Sequence, residues 1–137
     1  MPDLNNSFFI AAAGMRAQST RIRVVAENIA NADSLSATAD GQPYRRKVVT
    51  FQNVLDRSLG VDKVEVKDVT RDPSDFSKNY EPSNPHADED GYVLMPNVNT
   101  LVEMMDMREA QRSYQANLNV IEVTKAMLQS TVGILRA

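Results

Sequence analysis

A chain of 137 residues suits one compact domain, or one elongated coiled hairpin carrying a small insert. With no cysteine it can form no disulfide, no thiolate metal site and no cysteine nucleophile. The net charge is a mild −3 and the basic residues are scattered, which excludes the electrostatic footprint of a nucleic-acid binder.

The first element is a helix over about residues 4–30. Leu4, Phe8, Ala11, Met15, Gln18, Ile22, Val25 and Ile29 alternate spacings of four and three, the seam of a coiled coil. Gln18 is the single polar interruption, an amide able to set register. Gly14 marks a place where the helix is expected to loosen. The residues before Phe8 include Asp3 and no lysine or arginine, whereas a secretory signal needs a positive start, so no cleaved leader is expected. No apolar run approaches the roughly 20 residues of a membrane span. The helix should end near Asn31, because asparagine tolerates the left-handed conformation that often closes a helix.

Residues 32–96 read as a different kind of chain, extended and partly β. Asp40-Gly41 signals a turn, followed by Pro43 and an extended run over 44–51. Within that run Arg45-Arg46-Lys47 reads as a solvated strand end. Gly60 breaks the chain before Val64 and Val66, which alternate with charged neighbours as in a half-buried strand. Asp72-Pro73, Glu81-Pro82 and Asn84-Pro85 then punctuate an irregular stretch up to Asp90-Gly91. Tyr92-Val93-Leu94 reads as one last short strand.

From Asn97 to Ala137 there is one glycine and no proline, so a single long helix is expected. Pro96 and Asn97 open it, and Thr100 with Glu103 matches the Ser/Thr-x-x-Glu cap. One apolar stripe runs through Tyr114, Ile121, Leu128 and Leu135, flanked by Leu118 and Val132. A second, through Val120, Val123, Met127 and Ile134, lies on another face. The first stripe is expected to pair with the Phe8–Met15–Ile22–Val25–Ile29 seam of the same chain. The second needs a neighbouring subunit. Met104-Met105-Asp106-Met107 reads as helix-core filling. A helix of about 38 residues is about 57 Å long, against a diameter of about 37 Å for a globule of this size. The molecule is therefore elongated.

Chemistry is scarce. The one histidine, His86, lies near Asp88, Glu89 and Asp90. Aligned as a calcium loop this stretch ends on Asn97 where a glutamate is needed, and no helix precedes it, so a solvated acidic turn is the better reading. There is no phosphate loop, nucleophile elbow or dinucleotide fingerprint. The expectation is a protein that is not an enzyme and has no cofactor.

The run Arg21-Ile22-Arg23-Val24-Val25-Ala26-Glu27-Asn28-Ile29-Ala30-Asn31-Ala32-Asp33-Ser34, with Asn28-Ile29-Ala30-Asn31 at its centre, resembles the flagellar axial rod and hook proteins. Asp40-Gly41-Gln42-Pro43-Tyr44-Arg45, Tyr80-Glu81-Pro82-Ser83-Asn84-Pro85, the run from Asp90 to Asn99, and Ser113-Tyr114-Gln115-Ala116-Asn117 are similar to the rod members of that family. Residues 53–77 match least. The resemblance implies a mainly α fold whose terminal helices, within segments 1–31 and 97–137, pair as an antiparallel coiled-coil hairpin around the extended segment 32–96. It implies a structural subunit of the proximal basal-body rod, polymerising into the shaft that transmits torque across the periplasm and drives motility. Implied partners are copies of itself, adjacent rod subunits, the rod-base adaptor and the flagellar type III export apparatus, with no nucleic acid or small-molecule substrate. Asn28 and Asn31 are expected to hydrogen-bond backbone at the end of the first helix. Two other readings remain at this stage: a helical adaptor or export chaperone, and an enzyme built on His86, Asp88 and Asp90.

Overall fold

The computed structural model describes residues 2–36 and 41–136. The expected turn residue Asp40, together with Met1 and Ala137, lies outside the described residues. Two long helices enclose four strands in the order α1 (Pro2–Ala30), β1 (Lys47–Asp56), β2 (Val61–Arg71), β3 (Ser77–Tyr80), β4 (Tyr92–Met95) and α2 (Thr100–Arg136). About half the chain is helical, and the strands form two separate antiparallel two-stranded ribbons.

α1 forms over the expected span, but its C-terminus closes differently. No described non-glycine residue has a positive φ. Instead the Asn31 amide nitrogen and Nδ2 both bond the carbonyl of Glu27, at 3.1 and 2.8 Å, while Ser34 Oγ bonds Asn31 Oδ1 at 3.2 Å. The side chain supplies the donor that a left-handed residue would have placed there.

β1 and β2 are joined by a four-residue turn, 57–60. Asp56 Oδ1 accepts from Ser58 N at 3.0 Å and Leu59 N at 3.3 Å, and Gly60 closes the turn at φ 70°, where a side chain would be strained. Asp56 is also held by Lys63 at 2.8 Å. These interactions keep its carboxyl well below the usual carboxylate range, Lys63 contributing most. Thr50 pairs with Asp68 and Phe51 with Val66, which leaves Lys67 as the extra residue of a bulge.

The stretch expected to be irregular contains β3, whose residues pair with β4 from Ser77↔Met95 to Tyr80↔Tyr92. Ser-Lys-Asn-Tyr has no apolar alternation, and all four residues are exposed. Its strand geometry comes from the partner strand. The Tyr80 and Tyr92 rings meet edge to face at 5.3 Å over Gly91, which sits at φ 86°.

α2 begins three residues later than Asn97. The Asn97 amide is committed elsewhere: Oδ1 accepts Arg46 N at 2.7 Å, and Nδ2 donates to the carbonyls of Asp72 and Ser74, each at 3.1 Å. Asn99 caps the helix, its Oδ1 accepting from Leu101 N at 3.1 Å and Val102 N at 3.4 Å. Thr100 is therefore the first helical residue, and Glu103 faces the interior instead of reaching back to a cap. With 37 residues α2 is about 56 Å long, and no helix among the described residues is long and apolar enough to cross a membrane.

α1 lies between α2 and the β1–β2 ribbon and touches both. Ala13, Ala17 and Thr20 border Val64 and Val66 of β2. The buried core is small-residue rich: Ala11, Ala13, Ala17, Val24, Val25 and Ala110, joined by Asn28, Glu103 and Thr124.

Candidate assembly surface

Three contacts set how the helices run. Asn28 of α1 bonds Glu103 of α2 at 3.2 Å, Arg21 pairs with Asp106 and Glu109 at 3.5 Å each, and a Cβ on Gly14 would lie 2.8 Å from the Asn117 amide. Partner numbers rise on α2 as they fall on α1, so the two helices run in opposite directions. Gly14, Arg21 and Asn28 are seven apart, one position before Met15, Ile22 and Ile29. On α2 the matching heptad is Glu103, Ala110, Asn117 and Thr124. Both lines are small or polar, so apolar periodicity does not reveal them. The signal that does is a seven-residue repeat of residues able to sit close or to hydrogen-bond.

At one end of the helix pair these residues build a polar lock. Asn28, buried, donates from Nδ2 to the Lys47 carbonyl at 2.9 Å as well as to Glu103. Its Oδ1 accepts from Lys47 N at 3.0 Å and the Tyr44 hydroxyl at 2.7 Å. Every hydrogen-bonding position of that amide which the neighbours can reach is thus tied to the ribbon or to α2. Asn28 is a three-way joint between elements, a role its place near a helix end did not reveal.

Glu103 is fully buried, at 0% exposure. Its carboxylate takes Nε of Arg46 and Nδ2 of Asn28, and Arg46 extends to Asp72 at 3.3 Å and Asp106 at 3.7 Å. Burial works against the Arg46 charge, but Glu103 and Asp72 outweigh it and hold the guanidinium above its ordinary pKa. Burial raises the Tyr44 phenol, helped by the charge of Glu27. Lys47 reaches Glu27 at 2.9 Å and is the main reason that carboxyl lies low. Asp72 is likewise lowered, first by Ser74 N–H and hydroxyl and then by Arg46.

The basic triplet is therefore not a solvated strand end. Arg46 and Lys47 join the lock, while Arg45 donates to the carbonyls of Asp72 and Ser74 at 2.8 and 2.9 Å and stacks 4.2 Å over Phe76.

Towards the other end polar bonds between the helices give out. Gln18 keeps a buried Oε1 with no partner. Carried on at the same register, Ser7 falls level with Thr124 and Pro2 with about Gln129. Residues 130–136 then project about 10 Å past the start of α1.

The expected stripes fall as follows. Of the first, Val25 is buried; Met15, Ile22, Ile29, Tyr114, Ile121 and Leu128 are half-buried; Phe8 and Leu135 are exposed, Leu135 at 79%. All four residues of the second stripe, Val120, Val123, Met127 and Ile134, are exposed, Ile134 at 75%. Two of the three methionines of the cluster are not core filling: Met104 and Met105 are exposed, with Leu101 and Val102 beside them, while Met107 is half-buried.

The acidic loop is structural. His86 N donates to Asn84 Oδ1 at 2.9 Å, and Asp88 Oδ1 accepts from Asp90 N and Tyr92 N at 3.0 and 2.8 Å. Among the described residues no three His, Cys, Asp or Glu side chains group so as to hold a metal ion.

The family profile described as flagellar basal body rod FlgEFG protein, C-terminal, matches residues 89–134, which include α2 as far as Ile134. Over the whole chain, the sequence is 52% identical to the flagellar basal-body rod protein FlgC of Agrobacterium fabrum, covering 99% of that protein. It is 45% identical to FlgC of Escherichia coli O6:H1 and 41% identical to FlgC of Aquifex aeolicus. Each of those matches covers 96% of this chain, and 97% and 96% of the relative.

Proposed function

The chain belongs to the FlgC family of flagellar basal-body rod proteins and is a structural subunit of that rod, not an enzyme; from that premise we propose that it polymerises through its two terminal helices. The helices of segments 1–31 and 97–137 form an antiparallel coiled-coil hairpin, and segment 32–96 is a β-rich insert braced on its first arm. Met15, Ile22, Val25 and Ile29 close on Tyr114, Ile121 and Leu128 within the subunit, whereas Phe8 and Leu135, expected in the same seam, stay exposed because the helices no longer overlap closely there. Val120, Val123, Met127 and Ile134 meet adjacent rod subunits.

One observation carries this reading. The four second-stripe residues are exposed together, on a helix that outruns its intrachain partner. Each large apolar side chain contributes on the order of 1.5–3 kcal/mol when fully buried, enough for four of them to offset much of the entropy lost as a helix end becomes ordered. Contacts between unlike surfaces extend a helical array instead of closing a small ring.

As a rod component the chain reaches its place through the flagellar type III apparatus. There it joins copies of itself, neighbouring proximal-rod subunits and the rod-base adaptor, and passes torque across the periplasm through packed interfaces. Asn28 and Asn31 hold the end of the first helix for that purpose, Asn28 by bonding the ribbon and Asn31 by bonding its own last turn.

The test is Met127→Asp in a motile strain. Synthesis and export should persist while rod assembly and swimming are lost; normal swimming would refute the second-stripe interface.

A further inference from the structure

The two edges of the β1–β2 ribbon are built differently. β2 carries Asp62, Lys63, Glu65, Lys67, Asp68 and Arg71, and Lys67 is the extra residue of the bulge. Charges and bulges are the devices that keep a strand edge from pairing with another chain. β1 has neither: from Val48 to Leu55 it contains no charged residue, no proline and no extra residue.

The hydrogen bonds fix which main-chain groups of β1 face that edge. Asp72 N donates to the Arg46 carbonyl at 2.8 Å, so residues 46 and 72 are a hydrogen-bonded pair. Lys47, the next residue, therefore points its N–H and C=O away from β2. Asn28 occupies both: its Oδ1 accepts from Lys47 N at 3.0 Å, and its Nδ2 donates to the Lys47 carbonyl at 2.9 Å. A side-chain amide thus stands where the backbone of a further strand would lie. Alternation directs the N–H and C=O of Val49, Phe51, Asn53 and Leu55 to the same edge. None of these groups has a hydrogen-bond partner among the described residues.

At the Lys47 end this edge is turned towards the helices. A hollow of about 330 Å³ continues beside it, lined by Val49 and Phe51 of β1, Val24 and Val25 of α1, and the Arg21–Asp106 pair. Further along, Asn53 and Leu55 are exposed.

From these observations we propose that the edge of β1 from Val49 to Leu55 receives an extended strand from a neighbouring rod protein of different sequence, added where the Asn28 amide leaves off; this rests on the reading of the chain as a rod subunit. Donors and acceptors alternating at strand spacing are matched by another extended backbone, and pockets beside the edge select its alternate side chains. Here the hollow selects apolar ones. The other strands of a second copy cannot be the donor: β2 is charged along its length, and β3 and β4 have four residues each and pair with one another. Two β1 edges facing each other would close a two-fold pair and end growth.

Proline distinguishes the two sides of one strand. The Asn53 N–H points outward, so Asn53→Pro should keep the helicity and thermal midpoint of the free chain, yet remove the chain from basal bodies and abolish swimming. Asn53→Lys keeps the N–H but places a charge on the edge, and should impair incorporation in the same way. It decides the matter if Asn53→Pro loses helicity. The Gln52 N–H faces β2, so Gln52→Pro should lower the thermal midpoint of the free chain. A photoreactive benzophenone amino acid in place of Asn53, illuminated in isolated basal bodies, should join this chain to an extended segment of another rod protein, identified by mass spectrometry.

Normal incorporation and swimming with Asn53→Lys would overturn the proposal while leaving the rod reading intact. So would cross-linking to β1 of a second copy, to a helix, or to nothing in basal bodies that contain the chain. Absence of the native chain from basal bodies would refute the rod reading itself.

Discussion

The two ends of the helix pair are built on different principles. Where Asn28 faces Glu103, the helices and the ribbon are joined by a buried amide, a buried carboxylate and the Arg46 guanidinium, with Val24 and Val25 packed beneath. Where α1 begins, the contact rests on small residues, and α2 runs on alone with Val132, Ile134 and Leu135 exposed. The buried polar groups of the locked end are satisfied within one chain. The open end is not. In a rod subunit this division makes sense: one end fixes register and holds the insert, and the other is completed by a neighbour.

The largest effect should come from breaking the lock. Arg46→Ala leaves the Glu103 carboxylate buried without its cation, and loss of one partner of such a pair costs about 3–5 kcal/mol. Urea denaturation should show it, and Glu103→Gln, which keeps a group able to accept from Asn28, should cost less. Equal losses in the two variants would mean that charge is not what holds this end.

Gly14 tests the middle of the pair. A Cβ there already meets the Asn117 amide, which is itself bonded to the Ser113 carbonyl at 2.9 Å. Gly14→Leu should force the helices apart and cost about 1–3 kcal/mol, read as a lower thermal midpoint. Gly14→Ala should cost far less, because Asn117 can turn aside and alanine favours the helix.

At the open end the comparison reverses. Ile134→Ser should change the stability of the free chain by no more than about 0.5 kcal/mol, yet impair assembly measured by sedimentation. A large loss of monomer stability would show that Ile134 is already packed within its own subunit.

The smallest effect is that of acid. Glu27 and Asp72 have carboxyls lowered in the fold, so their contribution is present above the ordinary carboxylate pKa and is lost as pH falls through the folded values. The urea midpoint should be flat between about pH 5 and 8 and decline below about pH 4. Glu27→Gln should shrink that decline; an unchanged acid limb would exclude the Lys47 pair as a source.

The same contrast explains what could be read from the sequence. Both helices, the turn at Gly60 and the short strand at Tyr92 were legible because apolar periodicity and turn chemistry are local. Asn28, Glu103 and Arg46 were not, since each looked like an ordinary cap, cap partner or solvated base, and only the fold brings residues 28, 46 and 103 together. β3 was hidden for a related reason: its residues have no strand pattern, and its partner supplies the geometry. The exposure of Met104 and Met105 was hidden for the same reason: they read as core filling around a cap partner, and only the fold turns Glu103 inward and them outward.

The most direct test of the account is amide hydrogen exchange along both helices, in the free chain and in assembled material. Strong protection is expected over residues 20–30 and 103–113 of the free chain and weak protection over 3–12 and 122–136, with the weak segments becoming protected on assembly. Uniform protection of both helices in the free chain would contradict it, because the open end would then need no neighbour.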